Sequence, residues 1–283
     1  MKVRRPCQAG VFYAGTARAL RRQVEGCFLH HLGPGAVPKV EERGPRDLVA
    51  LVCPHAGYMY SGHVAAHAYH QLAMDGIPES VVILGPNHTG FGSGISLYIE
   101  GAWRTPLGDA QIDSELATQI QRSSRFVDID EGGHRYEHSI EVQLPFLQYL
   151  FGDAFKIVPI SMMIQDLEVS RDIGEAIAKA APGRDVLVIA STDLTHYEPM
   201  VAANAKDRMV IEAILQMNEE KLHSTVESKS ISMCGYGPTS AAIVAAKGLD
   251  AKTAQLLCYG TSGDVTGDRS QVVGYASLTM VRR

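Results

Sequence analysis

Cysteine is scarce in this sequence and follows no pattern. The five, Cys7, Cys27, Cys53, Cys234 and Cys258, are odd in number, widely spread and form no Cys-x-x-Cys pair. That excludes a disulfide framework and a structural zinc knuckle. Long apolar runs are missing too: none approaches the length needed to span a bilayer, so no membrane partner is expected. The first residues are charged but lead into no apolar core and no cleavage pattern, so no secretory signal is read and a cytoplasmic location is expected. Basic charge is in deficit, with 26 Lys and Arg against 31 Asp and Glu and a net charge of −5. The small cluster Lys2, Arg4, Arg5 cannot make up a nucleic-acid-binding face. There is no internal repeat and no low-complexity tract. The glycine-rich Gly260-Thr261-Ser262-Gly263-Asp264 lacks the lysine of a phosphate-binding loop, which speaks against a nucleotide.

What is present is an ordinary globular composition, 46% hydrophobic and 20% charged, over 283 residues. It is read as one domain spanning 1–283. The run Leu48 to Cys53 is apolar on both alternating faces and stops at Pro54, then presents His55. Such a run is a strand buried on both sides, ended by a residue that cannot donate to a ladder. The construction recurs at Ser80–Pro86, followed by His88, and at Asp185–Ser191, followed by Asp193 and His196. In an open parallel sheet the loops after the strands share one edge, where such folds place ligands. The three histidines are therefore expected at one edge and in one pocket.

Between these strands the spacing predicts a helix capped by Thr16 and ending near Gly33, a helix from about His63 to Gly76 after a Ser61-Gly62 break, and a helix capped by Asp113. A helix start over Glu137 to Leu144 is expected to be interrupted by Pro145. Further helices are expected at Leu167–Ala181, Met200–Met217 and from Gly237-Pro238 to Gly248. Strands are expected at Ile157–Met162, Gln255–Tyr259 and Val272–Val281, with a glycine-rich loop over Gly260 to Gly267. Strands alternating with helices at these intervals define an α/β sandwich about a largely parallel central sheet.

Two neutral imidazoles and one thiolate or carboxylate make a three-ligand set for a catalytic divalent metal, leaving positions for water or substrate. His55 and His88 are the first two candidates. Cys234 precedes a helix start, where the dipole would favour a thiolate; it is the natural third ligand, or a small residue packed under the helix. Cys53 and Cys258 lie in apolar runs and are read as core. Asp193 and His196, three apart, are close enough for a carboxylate to orient an imidazole for acid/base work; otherwise Asp193 caps a turn. Glu137, His138 and Glu141 are candidates for substrate contact or for support behind the ligands, or they form a favourable first-turn charge pattern. His63, His67 and His70 share a helix face, but alanines fill the gaps and no acidic residue interleaves them, so they are read as packing.

Taken together, Ala9-Gly10-Val11-Phe12-Tyr13, Pro54-His55-Ala56-Gly57-Tyr58, Gly85-Pro86-Asn87-His88, Glu137-His138-Ser139-Ile140-Glu141, Ser191-Thr192-Asp193-Leu194-Thr195-His196-Tyr197 and Thr261-Ser262-Gly263-Asp264 resemble the MEMO family. Its bacterial and archaeal members are also called AmmeMemoRadiSam system protein B. The resemblance implies a fold similar to class III extradiol ring-cleaving dioxygenases, which hold non-haem iron with two histidines and a glutamate. His55 and His88 match the histidine ligands, His196 the acid/base histidine, and Cys234 stands where the carboxylate would be. Tyr58 falls inside a matching motif and joins the candidates for substrate contact. A thiolate in the set favours iron(II) or copper, with zinc also compatible. The substrate implied is a small molecule or peptide of unknown identity, and a functional link to radical-SAM and AMMECR-type proteins is implied by the same resemblance. The alternatives are a ligand-binding module on a retired dioxygenase scaffold and a zinc hydrolase.

Overall fold

The computed structural model describes residues 2–283. The three apolar runs form the strands Leu48–Cys53, Ser80–Pro86 and Val186–Ser191, every residue of which is buried. Val186–Ser191 lies between the other two and pairs with both in parallel, Ile189 standing opposite Leu51 on one side and Ile83 on the other. Lys156–Met162 continues the parallel set beyond Ser80–Pro86. Beyond Leu48–Cys53 the sheet turns antiparallel: Val272–Val281 pairs with it, and Thr253–Thr261 and His196–Glu198 both pair with Val272–Val281. Twelve strands among the described residues join one sheet.

Alternation along the central strands feeds two cores. Ala50, Val82 and Val188 pack with Ile173, Ile177 and Ile243 of the helices Leu167–Ala180 and Tyr236–Gly248. Leu51, Ile83 and Ile189 pack with Phe28, Leu72 and Phe146 of Ala17–Leu29, Tyr58–Asp75 and Leu144–Phe151. Each fully buried aliphatic or Phe side chain contributes about 1.5–3 kcal/mol, so the sheet that carries the site is held from both faces. The result is the expected mixed α/β fold about a mostly parallel sheet. Among the described residues no helix is long and apolar enough to cross a membrane.

Four local expectations are corrected. The second helix begins at Tyr58, not His63; Gly62 lies inside it because a Cβ there would meet Cys27 Sγ at 2.5 Å, so the glycine lets two helices approach. Pro145 sits in the first turn of Leu144–Phe151 and starts that helix, where a missing N–H costs nothing. The Gly260–Gly267 stretch holds a short helix, Ser262–Thr266, with Thr261 and Asp264 as a reciprocal capping box. Cys258 is only half-buried, because its strand lies outside the fully buried parallel set, with residues of intermediate exposure on either side.

Candidate metal centre

His55 stands two residues past the end of the Leu48–Cys53 strand and His88 two past Ser80–Pro86, while the strand between them leads through Asp193 to His196. Because the three are parallel neighbours, all three histidines reach one cleft of about 720 Å³. The rings of His55 and His88 meet edge to face at 5.2 Å. His138 stacks on His88 at 4.7 Å and lies 5.4 Å from His55. Cys234, in the turn before Tyr236–Gly248, brings its Sγ to 3.2 Å from His55 Nε2. Among the described residues, two groups bring candidate ligand atoms within 4.8 Å of one another: His55, His88 and Cys234, and His88, Glu137 and His138.

Glu137 in the second group is already engaged. Its carboxylate accepts from His88 Nδ1 at 3.0 Å, from the backbone N–H of His138 and of Ser139 at 2.8 Å each, and from the His88 amide. Burial raises this carboxyl, but His88 and the surrounding donors outweigh it and hold the group at about 2. Ionised Glu137 thus accepts a hydrogen bond from Nδ1–H of His88, which leaves Nε2 as the lone-pair nitrogen of the neutral ring. His55 Nδ1 is likewise engaged, 2.9 Å from Ser191 Oγ. Ligand rings with one nitrogen tied and the other free are the usual support for a metal.

The expected Asp193–His196 pair does not form. Asp193 accepts from the backbone N–H of His55 at 2.8 Å, while His196 Nδ1 donates to the carbonyls of Leu194 at 2.7 Å and Ser232 at 2.8 Å. Three-residue spacing ignored the turn of the chain, which carries the carboxylate to the loop of the neighbouring strand. Burial, working against the amide bonds, pushes Asp193 up to about 6. Both residues still line the cleft. The His196 carbonyl partners can only accept, so its neutral ring has a free Nε2 lone pair. Next to it, exposed Tyr197 has φ +58°, a backbone region bulky side chains seldom adopt.

Two other candidates lie elsewhere. Glu141 accepts from Tyr13 Oη at 2.6 Å, from the amides of Cys7 and Gln8 at 2.9 Å, and from Arg4. It anchors the amino-terminal segment whose Val11 and Phe12 border the cleft. Tyr58 is buried against Tyr13 and Phe146 and donates to the Val142 carbonyl at 2.6 Å. Neither lines the cleft. His63 is buried and stacks on His30 at 4.7 Å, and with His67 and His70 it forms no ligand group among the described residues.

The thiol of Cys234 behaves opposite to the helix-dipole expectation. Burial first, then the nearby Asp193 carboxylate, push it well above its ordinary value, although the Asp193 amide donates to Sγ at 3.2 Å. Without a cation it is a protonated thiol. Metal-free protein at pH 8 is therefore expected to alkylate Cys234 no faster than Cys258, whose thiol is raised only to about 11. Mass spectrometry showing Cys234 modified first would contradict this. A bound cation supplies the charge that ionises a coordinating thiol. Two imidazoles with Nδ1 engaged and a thiol awaiting a cation fit a metal.

The chain matches the family model described as Memo-like protein over residues 4–279. It is 53% identical over 279 residues to a MEMO1 family protein of Methanothermobacter thermautotrophicus, covering 98% of this chain and 100% of that one. A MEMO1 family protein of Methanopyrus kandleri is 53% identical over 281 residues, 99% of each chain. The chain belongs to the Memo family. The Memo match spans the whole candidate centre, from His55 to Cys234. The crystal structure of an uncharacterized protein from Escherichia coli K12 shares the Memo fold, with a TM-score of 0.59 at 15% identity over 82% of this chain and 99% of that one.

Sequence reasoning missed Ser191 and Gln143. Each carries a signal in hindsight: a hydroxyl closing the apolar run Val186–Ala190, and one amide between Val142 and Leu144. Polar groups so placed are buried and need partners.

Proposed function

We propose that this Memo family protein is a metal-binding protein with a non-haem, oxidoreductase-type site. His55, His88 and Cys234 would hold iron(II) or copper. The observation that carries the reading is the mutual approach of these three donors within 4.8 Å at the edge of a parallel sheet. When bound, a metal held by three protein ligands supplies open positions where oxygen, water or a substrate is polarised. The chain's own residues do the rest. Glu137 keeps His88 oriented, and His196, held by backbone carbonyls, offers Nε2 as the group that takes up or returns a proton at the cleft.

The cleft also limits what enters. Phe12, Tyr60, Tyr197 and Tyr275 form apolar walls, and among the described residues no lysine or arginine lines it, while Asp193 and Asp268 do. A flat, uncharged or cationic small molecule suits such walls better than a phosphorylated one, which would need cationic partners. Zinc fits the same donors and would make the site hydrolytic.

Elemental analysis separates these readings. Protein purified without oxygen is expected to carry about one metal per chain, as a single three-ligand site requires, and Cys234→Ser to lose most of it. Iron or copper supports the redox reading and zinc at full occupancy the hydrolytic one. Wild-type protein that retains none of the three, even after reconstitution, would sink the metal-centre proposal.

A further inference from the structure

A polar chain is sealed behind His55: Ser191, Gln143, Tyr69 and Ser139 are each at most 1% exposed. Every bond in it has one allowed direction. One end of the Gln143 amide lies 3.0 Å from the Pro54 carbonyl and the other 2.7 Å from the Tyr69 hydroxyl. A carbonyl only accepts, so the NH₂ end faces Pro54, and the same Nε2 donates its second hydrogen to Ser191 Oγ at 2.7 Å. Ser191 donates its own hydrogen to the Ser139 carbonyl at 2.6 Å. With that proton committed, Ser191 can only accept from His55 Nδ1, 2.9 Å away. The hydrogen of His55 is then on Nδ1, and the lone pair is on Nε2, the nitrogen facing Cys234 Sγ.

We infer that Ser191, held by Gln143, is a positioning residue that locks His55 in its Nδ1–H tautomer and aims the Nε2 lone pair at the ligand group. The purpose of the lock rests on the metal-centre reading, but the tautomer does not. The segment Glu137–Gln143 therefore serves both rings: Glu137 fixes His88 directly, and Gln143 fixes His55 through Ser191.

Long-range proton–nitrogen NMR correlations of the full-length, metal-free protein are expected to show His55 protonated at Nδ1. A hydrogen on Nε2 would overturn the inference whether or not any metal binds. Ser191→Ala removes the acceptor, so the second tautomer is expected to appear. Co(II) binding, read from thiolate-to-cobalt absorption, is expected to weaken about 10- to 100-fold, the scale for losing a group behind a metal ligand. Gln143→Leu keeps the hydroxyl but frees its rotation, and is expected to fall between Ser191→Ala and wild type. A Ser191→Ala protein that loses thermal stability but keeps the wild-type tautomer and Co(II) affinity would overturn the inference. Co(II) binding by neither protein would count against the metal-centre reading alone, since the wild-type spectrum still decides the tautomer.

Discussion

Metal retention is expected to fall to background in His55→Ala and in His88→Ala and to stay near the wild-type level in His196→Ala. Removing one of three protein ligands leaves a two-ligand site with little hold on a divalent ion. His196 stands apart from both candidate ligand groups, and backbone carbonyls hold its Nδ1. The ring can therefore be deleted without touching the donor set. With a substrate in hand, His196→Ala should nevertheless turn over about 100-fold more slowly or worse, the scale for losing a positioned acid/base. Metal analysis and single-turnover rates on the three variants check both halves. Equal loss of metal from all three would make His196 a ligand and end the proposed division of roles.

Arg4→Ala is expected to destabilise the fold by about 3–5 kcal/mol, since it leaves a buried carboxylate without its countercharge. The Arg4 and Glu141 side chains are 5% and 0% exposed, and Arg4 also donates to the carbonyls of His134 at 2.9 Å and Glu137 at 2.7 Å. Its guanidinium lies over the Trp103 ring at 4.2 Å. At roughly 2–4 °C per kcal/mol, the melting temperature should drop on the order of 10 °C. A shift of about a degree by calorimetry would show the pair to be dispensable. Acid should act on the same region. Burial opposes ionisation of Glu141, but Arg4 and the amide donors outweigh it and depress its pKa, and Glu137 is depressed from 4.5 to about 2. Carboxyls depressed in the folded state stabilise it fully above their unfolded values. That contribution is lost as pH falls through the folded ones, so stability should decline from about pH 4.5 toward pH 2.

The three histidine-bearing strands were legible because a doubly buried parallel strand is a continuous apolar run, and a proline or polar residue marks its end. Convergence of His55, His88 and His196 follows from that alone, since parallel neighbours present their carboxyl ends together. The partners of those side chains were not legible. Asp193 bonds to the amide of a residue 138 positions away, where local spacing pointed it to His196, and Glu141 bonds to Arg4 across 137 positions, a partner that no local pattern indicates. The Cys234 thiol was misjudged because the one visible influence, the helix start, is outweighed by burial and by Asp193, which only the folded chain reveals. Gly62 looked like a break because its reason for being glycine is a sulfur on another helix.

The parallel frame also bears on how a metal would come and go. Neighbouring strands repeat at about 4.8 Å, and Val186–Ser191 alone separates the strands that deliver His55 and His88. The span between those two donors is thus a property of the backbone ladder, present before any ion arrives. Loading then orders little of the chain, and chelation should strip the ion while leaving the far-ultraviolet circular dichroism unchanged. The lifetime of the loaded state would be set by the ligand bonds and by traffic through the cleft mouth, with no unfolding step in the path.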